Sequence, residues 1–209
     1  MREYHKIQTV YLRDPANNHK TLLIGEYATP EFAFLEKCPW VFTEKVDGTN
    51  IRVMIEHGAI RYGGKTDAAS IPAFLVDRLR ALFEGHEQIH SVFPDGACLY
   101  GEGYGARIQK GGGNYRADQD FVLFDVKVGE WWLQRPAVEE VAVKLGLDVV
   151  PIIGTGTLPE MVEMARVGFP SRWNDKFVSE GIVARPATEL RSRSGQRIIT
   201  KIKHRDFQC

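Results

Sequence analysis

The chain has 209 residues, with 27 Lys or Arg balanced by 27 Asp or Glu. Its hydrophobic content of 44% and charged content of 26% are ordinary for a globular protein. No apolar run approaches the ~20 residues of a membrane-spanning helix, which excludes an integral membrane protein built from such helices. This length predicts one domain with a single core.

Two further features concern the cellular environment. The opening residues lack the apolar stretch of a signal peptide. The cysteines Cys38, Cys98 and Cys209 are too widely spaced for a metal motif or a disulfide framework. We therefore expect reduced thiols and a cytoplasmic protein, or one in the host cytoplasm if the source is viral.

The sequence predicts one β-hairpin and three helices. Apolar and polar residues alternate from Ile51 to Glu56, and His57-Gly58 interrupts the pattern before Ile60. Helical periodicity with capping signals predicts three helices: one capped by Ser70 that runs to Phe83, one from about Pro136 to Lys144, and one that opens at Thr157–Glu160 and ends near Gly168.

Short strands are predicted around these helices, without regular βαβ alternation. This order favours an α+β fold with largely antiparallel sheets. In the last strand Lys201 and Lys203 are two residues apart and share one face, which we expect to be apolar. The predicted strands are Ala97–Glu102, Phe121–Val128, Leu147–Ile153, Gly181–Arg185 and Arg197–Lys203.

The most informative segment is Thr43–Asn50, which places Lys45 in a polar stretch bent by Gly48. A free lysine has a pKa of ~10.4, so its amine becomes a nucleophile only where nearby cations disfavour the ammonium form. Glycine lets a backbone approach a phosphate closely. On this segment alone, an ordinary surface lysine entering a hairpin is the better interpretation. The functional interpretation of this segment depends on four further segments that follow it in order. They are Leu99–Tyr104, Asp120–Asp125, Ser179–Val183 and Thr200–Lys203.

This ordered set resembles the covalent nucleotidyltransferases, which include ATP-dependent DNA and RNA ligases and mRNA-capping guanylyltransferases. The Gly-Thr-Asn that ends at Asn50, the sequence from Gly101 to Lys110 and the pair Phe124-Asp125 are most similar to RNA ligases that seal nicks in duplex RNA. The resemblance implies a ligase adenylation fold with twisted, largely antiparallel sheets flanked by helices. It implies a single adenylyltransferase domain over residues 1–209, with the separate C-terminal nick-recognition domain absent.

The resemblance also implies roles for individual residues. Lys45 would attack the α-phosphorus of ATP and carry AMP, assisted by Glu180, Lys201 and Lys203. The ATP-binding set would comprise Glu44, Lys45, Val46, Asn50, Lys65, Glu102, Phe124, Lys201 and Lys203.

Within that set, the ring of Phe124 would stack on adenine and the carboxylate of Glu102 would bind the ribose hydroxyls. Lys65 stands where the family commonly has arginine, so a point charge replaces a bidentate group. A Mg²⁺ or Mn²⁺ ion would be held by Glu180, directly or through water, and by Asp47.

The implied activity is ATP-dependent RNA ligation, which joins a 3′-hydroxyl to a 5′-phosphate through lysyl-AMP and an adenylylated RNA end. The alternatives are a DNA ligase, a GTP-using capping guanylyltransferase core, and a non-catalytic RNA-binding relative. The expected partner is RNA, as a nicked duplex, bound by a monomer. A basic stretch from Arg185 to Arg205, in which Glu189 is the one acid, could follow a phosphate backbone or form a solvated face.

Overall fold

The computed structural model of the protein describes residues 3–86 and 88–208. The chain divides into two compact units. Of the described residues, the first unit contains 3–5 and 47–150, and the second contains 6–46 and 151–208. The single-domain assignment stays a prediction.

The elements alternate irregularly between strands and helices, as an α+β chain requires. The strands are β1 (Gln8–Thr9), β2 (Tyr11–Arg13), β3 (Leu22–Tyr27), β4 (Trp40–Lys45), β5 (Thr49–Glu56), β6 (Ala59–Gly63), β7 (Ala97–Gly105), β8 (Gln119–Val128), β9 (Trp131–Trp132), β10 (Asp148–Val149), β11 (Ile152–Gly156), β12 (Gly181–Pro186) and β13 (Thr200–Lys203). The α-helices are α1 (Pro30–Phe34), α2 (Ala73–Phe83), α3 (Ile89–Val92), α4 (Arg135–Leu145) and α5 (Leu158–Val167).

The first unit is built on a sheet with the strand order β10-β8-β7-β5-β6, and β9 pairs with β8. All these pairs are antiparallel except β10 with β8. The alternation along β5 buries Ile51, Val53 and Ile55 in the core of this unit. The apolar stripe of α2, including Leu75 and Leu79, belongs to the same core because period-3.6 spacing places these side chains on one helix face.

The second unit contains a sheet with the order β1-β13-β12-β4-β11 and a separate ribbon of β2 and β3. In β4 the buried residues Trp40 and Phe42 belong to the core of this unit. The apolar face of α5 contributes Leu158 and Met161 to that core. Lys45 alternates with the buried residues and is only partly exposed.

The predicted hairpin is confirmed as β5 and β6, and His57 and Gly58 have φ values of 49° and 76°. Such paired positive φ values suit the twist of a two-residue hairpin turn. The α5 capping box is confirmed, because Thr157 Oγ1 accepts from the Glu160 N–H and Glu160 accepts from the Thr157 N–H. The α+β class with largely antiparallel sheets is also confirmed.

Several predicted boundaries are wrong. The last predicted strand, Arg197–Lys203, begins only at Thr200 as β13. Helix α2 begins at Ala73 after Pro72, and the predicted cap Ser70 lies outside it. The predicted strand Leu147–Ile153 is divided into β10, which pairs with β8, and β11, which pairs with β4. Pro151 lies between them and lacks the N–H that a continuous ladder would require.

Among the described residues, no helix combines the length and the apolar character that crossing a bilayer requires. Cys38 and Cys98 are free thiols, as predicted, whereas Cys209 lies outside the described residues.

Candidate active site

Three strand ends meet around Glu180 in the second unit. Gly181, the first residue of β12, pairs with Lys45 at the end of β4 and with Lys203 at the end of β13. This register brings together residues that are 135 positions apart in the chain. Gly181 is needed there, because a Cβ at this position would lie 2.2 Å from the carbonyl oxygen of Ile202.

Glu180 is paired with both lysines. Its Oε2 lies 2.6 Å from Lys45 Nζ, and its Oε1 lies 2.6 Å from Lys203 Nζ. The three side chains are only 10–20% exposed. Partial burial strengthens these charge-assisted hydrogen bonds relative to a surface pair. The formal charges of these three side chains, two positive and one negative, sum to one positive charge.

Lys201 lies on β13, two residues before Lys203, and both are partly exposed. The buried residues that alternate with them are Thr200 and Ile202. The two lysines therefore share a face, as predicted, but the prediction that this face is apolar is wrong. The core lies on the other face, where Ile202 packs.

Glu44 is 1% exposed and lies on the strand face opposite Lys45. Its Oε2 accepts a hydrogen bond from the Arg172 backbone N–H at 2.8 Å. Its Oε1 is buried, and no hydrogen-bond partner for it exists among the described residues. Val46, which is also buried, accepts a long 3.5 Å hydrogen bond from Lys45 Nζ through its carbonyl oxygen.

Asn50 and Glu102 face each other in the first unit, across the pairing of β5 with β7. Directly opposed residues of an antiparallel pair project their side chains to the same face. The Asn50 Oδ1 is buried, and the described residues provide no partner for it. Two residues of the predicted ATP-binding set are therefore neighbours.

The bend at Asp47 and Gly48 packs tightly on β7. A Cβ at Gly48 would lie 2.3 Å from the carbonyl oxygen of Gly103 and 2.8 Å from Glu102 Cγ, so only glycine fits. The strand β4 ends at Lys45, and Asp47 lies in the bend that follows it.

Sequence reasoning gave no role to two residues that support this bend. The Tyr115 hydroxyl accepts a hydrogen bond from the Asp47 N–H at 3.1 Å. The Gln109 side chain donates to the Gly48 carbonyl at 3.0 Å. Both come from the loop after β7. Gly112 in that loop packs closely on the end of β7, because a Cβ at this position would lie 1.9 Å from the Gly105 carbonyl oxygen.

Phe124 and Lys65 lie on two other segments of the first unit. Phe124 is half-buried at a register shift of β8, where Tyr100 opposes Asp125 and Gly101 opposes Leu123. Lys65 is exposed in the turn that follows β6.

No cluster of three or more His, Cys, Asp or Glu side chains is present in the described parts of the chain. Glu180 is a single carboxylate between two lysines. Magnesium is commonly held by one or two carboxylates together with substrate phosphates and water. The donor set therefore fits a divalent ion that arrives with a nucleotide, and not one held by protein ligands alone.

The fold is shared with RNA ligases of known structure. A Naegleria gruberi RNA ligase with PPi matches with a TM-score of 0.69 and 20% identity, over 97% of this chain and 56% of that chain. A substituted form of the same ligase with ATP and Mn matches with a TM-score of 0.70 and 18% identity, over 97% and 56%. Another substituted form, with AMP and Mn, matches with a TM-score of 0.68 and 20% identity, over 97% of this chain and 56% of that chain. The chain thus spans about half the length of the ligases it matches.

The sequence identifies the family. The family model described as RNA ligase matches residues 38–203, so the chain belongs to the RNA ligase family. This confirms the resemblance that the ordered segments indicated. No curated protein sequence matches the chain.

Proposed function

We propose that this protein is an ATP-dependent RNA ligase that forms a lysyl-AMP intermediate on Lys45. The observation that carries the proposal is the Lys45–Glu180–Lys203 cluster, which places a candidate nucleophile, a carboxylate and a second cation at adjoining strand ends. Family membership and the ligase fold support the same activity.

In the first step, the neutral amine of Lys45 attacks the α-phosphorus of ATP. A nitrogen–phosphorus bond forms, the bond from the α-phosphorus to the bridging oxygen breaks, and pyrophosphate departs with that electron pair. Only the unprotonated amine can attack, so a proton must leave Nζ. Glu180 Oε2, at 2.6 Å, is within reach to accept it.

Lys203 and Lys201 supply fixed positive charge for this step. Phosphoryl transfer depends mainly on positioning and on electrostatic stabilisation of the phosphoryl oxygens. Both lie on the partly exposed face of β13, where an anionic substrate could approach them. After Glu180 Oε2 has accepted the proton, Glu180 Oε1 still lies within hydrogen-bond distance of Lys203 Nζ.

The remaining residues of the proposed ATP-binding set are assigned individually. Glu102 would accept hydrogen bonds from the ribose hydroxyls, and Asn50 opposite it carries a buried oxygen for which the described residues provide no donor. Phe124 would stack on adenine, and Lys65 would contact a phosphate. Glu44 and Val46 complete the ATP-binding set, and Glu44 Oε1, which has no partner among the described residues, would accept from a nucleotide donor.

A divalent ion, Mg²⁺ or Mn²⁺, would neutralise charge on the ATP phosphates and on the departing pyrophosphate. Glu180 would hold it, directly or through water, and Asp47 is the second candidate. Both assignments rest on carboxylate chemistry, which suits hard cations.

The RNA substrate would carry 3′-hydroxyl and 5′-phosphate ends, as a nicked duplex. The protein would act as a cytoplasmic monomer through its adenylyltransferase domain. Within the basic stretch, Arg191 and Arg193 are exposed and suit contacts with RNA phosphates. Arg197 does not suit that role, since its side chain is 2% exposed and its Nε donates to Glu189 Oε1 at 2.6 Å.

The experiment is to mix the protein with ATP and Mg²⁺ and measure its intact mass. The expected product gains one AMP through an acid-labile bond. Lys45→Ala should abolish labelling because it removes the amine. Lys45→Arg should also abolish it, because an arginine side chain stays protonated. Lys176→Ala, which removes an exposed lysine of the same unit, is the matched control and should label normally. A labelled Lys45→Ala protein would refute the assignment, and labelling by GTP instead of ATP would replace it with a capping activity.

The substrate is tested separately with nicked duplexes that carry ribose or deoxyribose at the terminal 3′-side nucleotides. We expect preference for ribose, since its 2′-hydroxyls and the A-form geometry distinguish RNA from DNA. Equal sealing of an all-DNA nick would favour a DNA ligase, whereas RNA binding without labelling or sealing would indicate a non-catalytic relative.

A further inference from the structure

The segment Glu3–His5, here called the N-terminal strap, belongs to the first unit although it is far from the rest of that unit in sequence. Tyr4 is 8% exposed. Its ring lies 5.1 Å from that of Tyr100 and 5.2 Å from that of Phe124, measured between centroids. The strap therefore contacts the residue that was assigned to adenine.

The hydroxyl of Tyr4 donates a hydrogen bond to Asp125 Oδ2 at 2.5 Å, and Asp125 is fully buried. A buried carboxylate requires such donors, because burial without them is costly. The register shift of β8 lies between Leu123 and Asp125, so Phe124 is the additional residue of the bulge. Bulges redirect side chains, and the hydroxyl of Tyr4 anchors this one directly beside Phe124.

Glu3 contacts the turn that carries Lys65. Its Oε1 accepts a hydrogen bond from the Asp67 backbone N–H at 2.9 Å. The fully buried side chain of Arg52 also contacts this turn. Arg52 Nη2 pairs with Asp67 Oδ1 at 2.7 Å, and its Nε donates to the Gly64 carbonyl at 2.8 Å.

We propose that the N-terminal strap is a positioning element for the nucleotide. Glu3 fixes the turn that presents Lys65, and Tyr4 fixes the bulge that presents Phe124, so two adjacent strap residues hold two separate ATP-binding groups. Glu3 and Tyr4 are thus positioning residues, to which no direct contact with the ligand is assigned. The identity of the ligand rests on the proposed function, but the two anchoring contacts do not.

Anchoring matters here because of the residue types involved. A lysine ammonium on a flexible stem provides less geometric control than a guanidinium, so the backbone turn must supply the control. A stacking ring contributes to affinity only in a defined orientation, and Tyr4 packs nearly edge-on against Phe124, with an interplanar angle of 72°.

The test compares Glu3→Ala and Tyr4→Phe with the wild type in self-adenylation over a range of ATP concentrations. We expect KM for ATP to rise about three- to tenfold in each variant, while the maximal rate changes by less than about twofold, because positioning of the bound nucleotide is lost and the nucleophile is not altered. Glu3→Gln keeps an acceptor oxygen and should restore KM to near the wild-type value. Tyr62→Phe removes a hydroxyl whose contacts are 3.4 Å long and is the matched control.

A second measurement does not depend on ATP. Hydrogen exchange at the Asp67 amide should accelerate at least about fivefold in Glu3→Ala and should be unchanged in Tyr4→Phe. Unchanged KM and unchanged exchange would overturn the proposal, as would a fall in maximal rate at constant KM. If the wild type gains no AMP, the proposed function fails, and the exchange measurement still decides whether Glu3 holds the turn.

Discussion

Gly48→Ala is the sharpest test of how the bend after the nucleophile is built. The added Cβ would lie 2.3 Å from the Gly103 carbonyl oxygen and 2.8 Å from Glu102 Cγ. The first of these atoms belongs to the backbone of a central strand, so it cannot rotate away. To reach ordinary van der Waals contact, the bend and β7 must separate by about 1 Å, and displacements of this size can cost roughly a hundredfold in rate.

The same change should lower stability by about 1–3 kcal/mol, the usual cost of inserting a carbon into a packed region. For a protein of this size, each kcal/mol corresponds to about 2–4 °C in the melting temperature. Gly85→Ala is the matched control, since no atom lies within 4 Å of its added Cβ and its φ is not in the left-handed region. Gly85→Ala should label with AMP at the wild-type rate.

The assay is the rate of AMP transfer to the protein at saturating ATP, measured together with thermal denaturation. We expect the labelling rate of Gly48→Ala to fall by roughly a hundredfold while the protein remains folded at the assay temperature. Labelling within twofold of the wild type, with an unchanged melting temperature, would refute the packing argument. It would show that the bend can move away from Glu102 at no cost.

Three further predictions concern the charged groups and the bend. Glu180→Gln removes the negative charge shared by two lysines, so AMP labelling should fall at least about a hundredfold and the melting temperature should drop by several degrees; normal labelling would exclude a role as proton acceptor. Replacing Arg191 and Arg193 together by Ala should leave labelling within about twofold, whereas Lys203→Ala should abolish it. In the arginine variant, the slope of log sealing against log salt concentration should become shallower by about 1.5. Equal loss of labelling and sealing in that variant would mean that the basic stretch has a structural role. Tyr115→Phe removes the acceptor for the Asp47 N–H and should slow labelling about three- to tenfold, and an unchanged rate would show that the bend holds its position without this contact.

Several features of this protein follow from the sequence by itself. The hairpin of β5 and β6 and the capped start of α5 were predicted correctly, because a turn dipeptide, an alternating pattern and a capping box act over a few residues. Family membership was also predicted from the sequence, because the short segments from Thr43 to Lys203 and their order can be recognised without knowing which residues are in contact.

Tertiary structure decided which of these residues meet. The contacts of Glu180 with Lys45 and Lys203 depend on the register of three strands, and the division of the 147–153 segment depends on which neighbour each half pairs with. The hydrogen bond from Tyr4 to Asp125 joins residues 121 positions apart. Local patterns specify an element and its faces, but strand order, burial and the pairing of charges are set by non-local packing, which short-range sequence patterns do not encode.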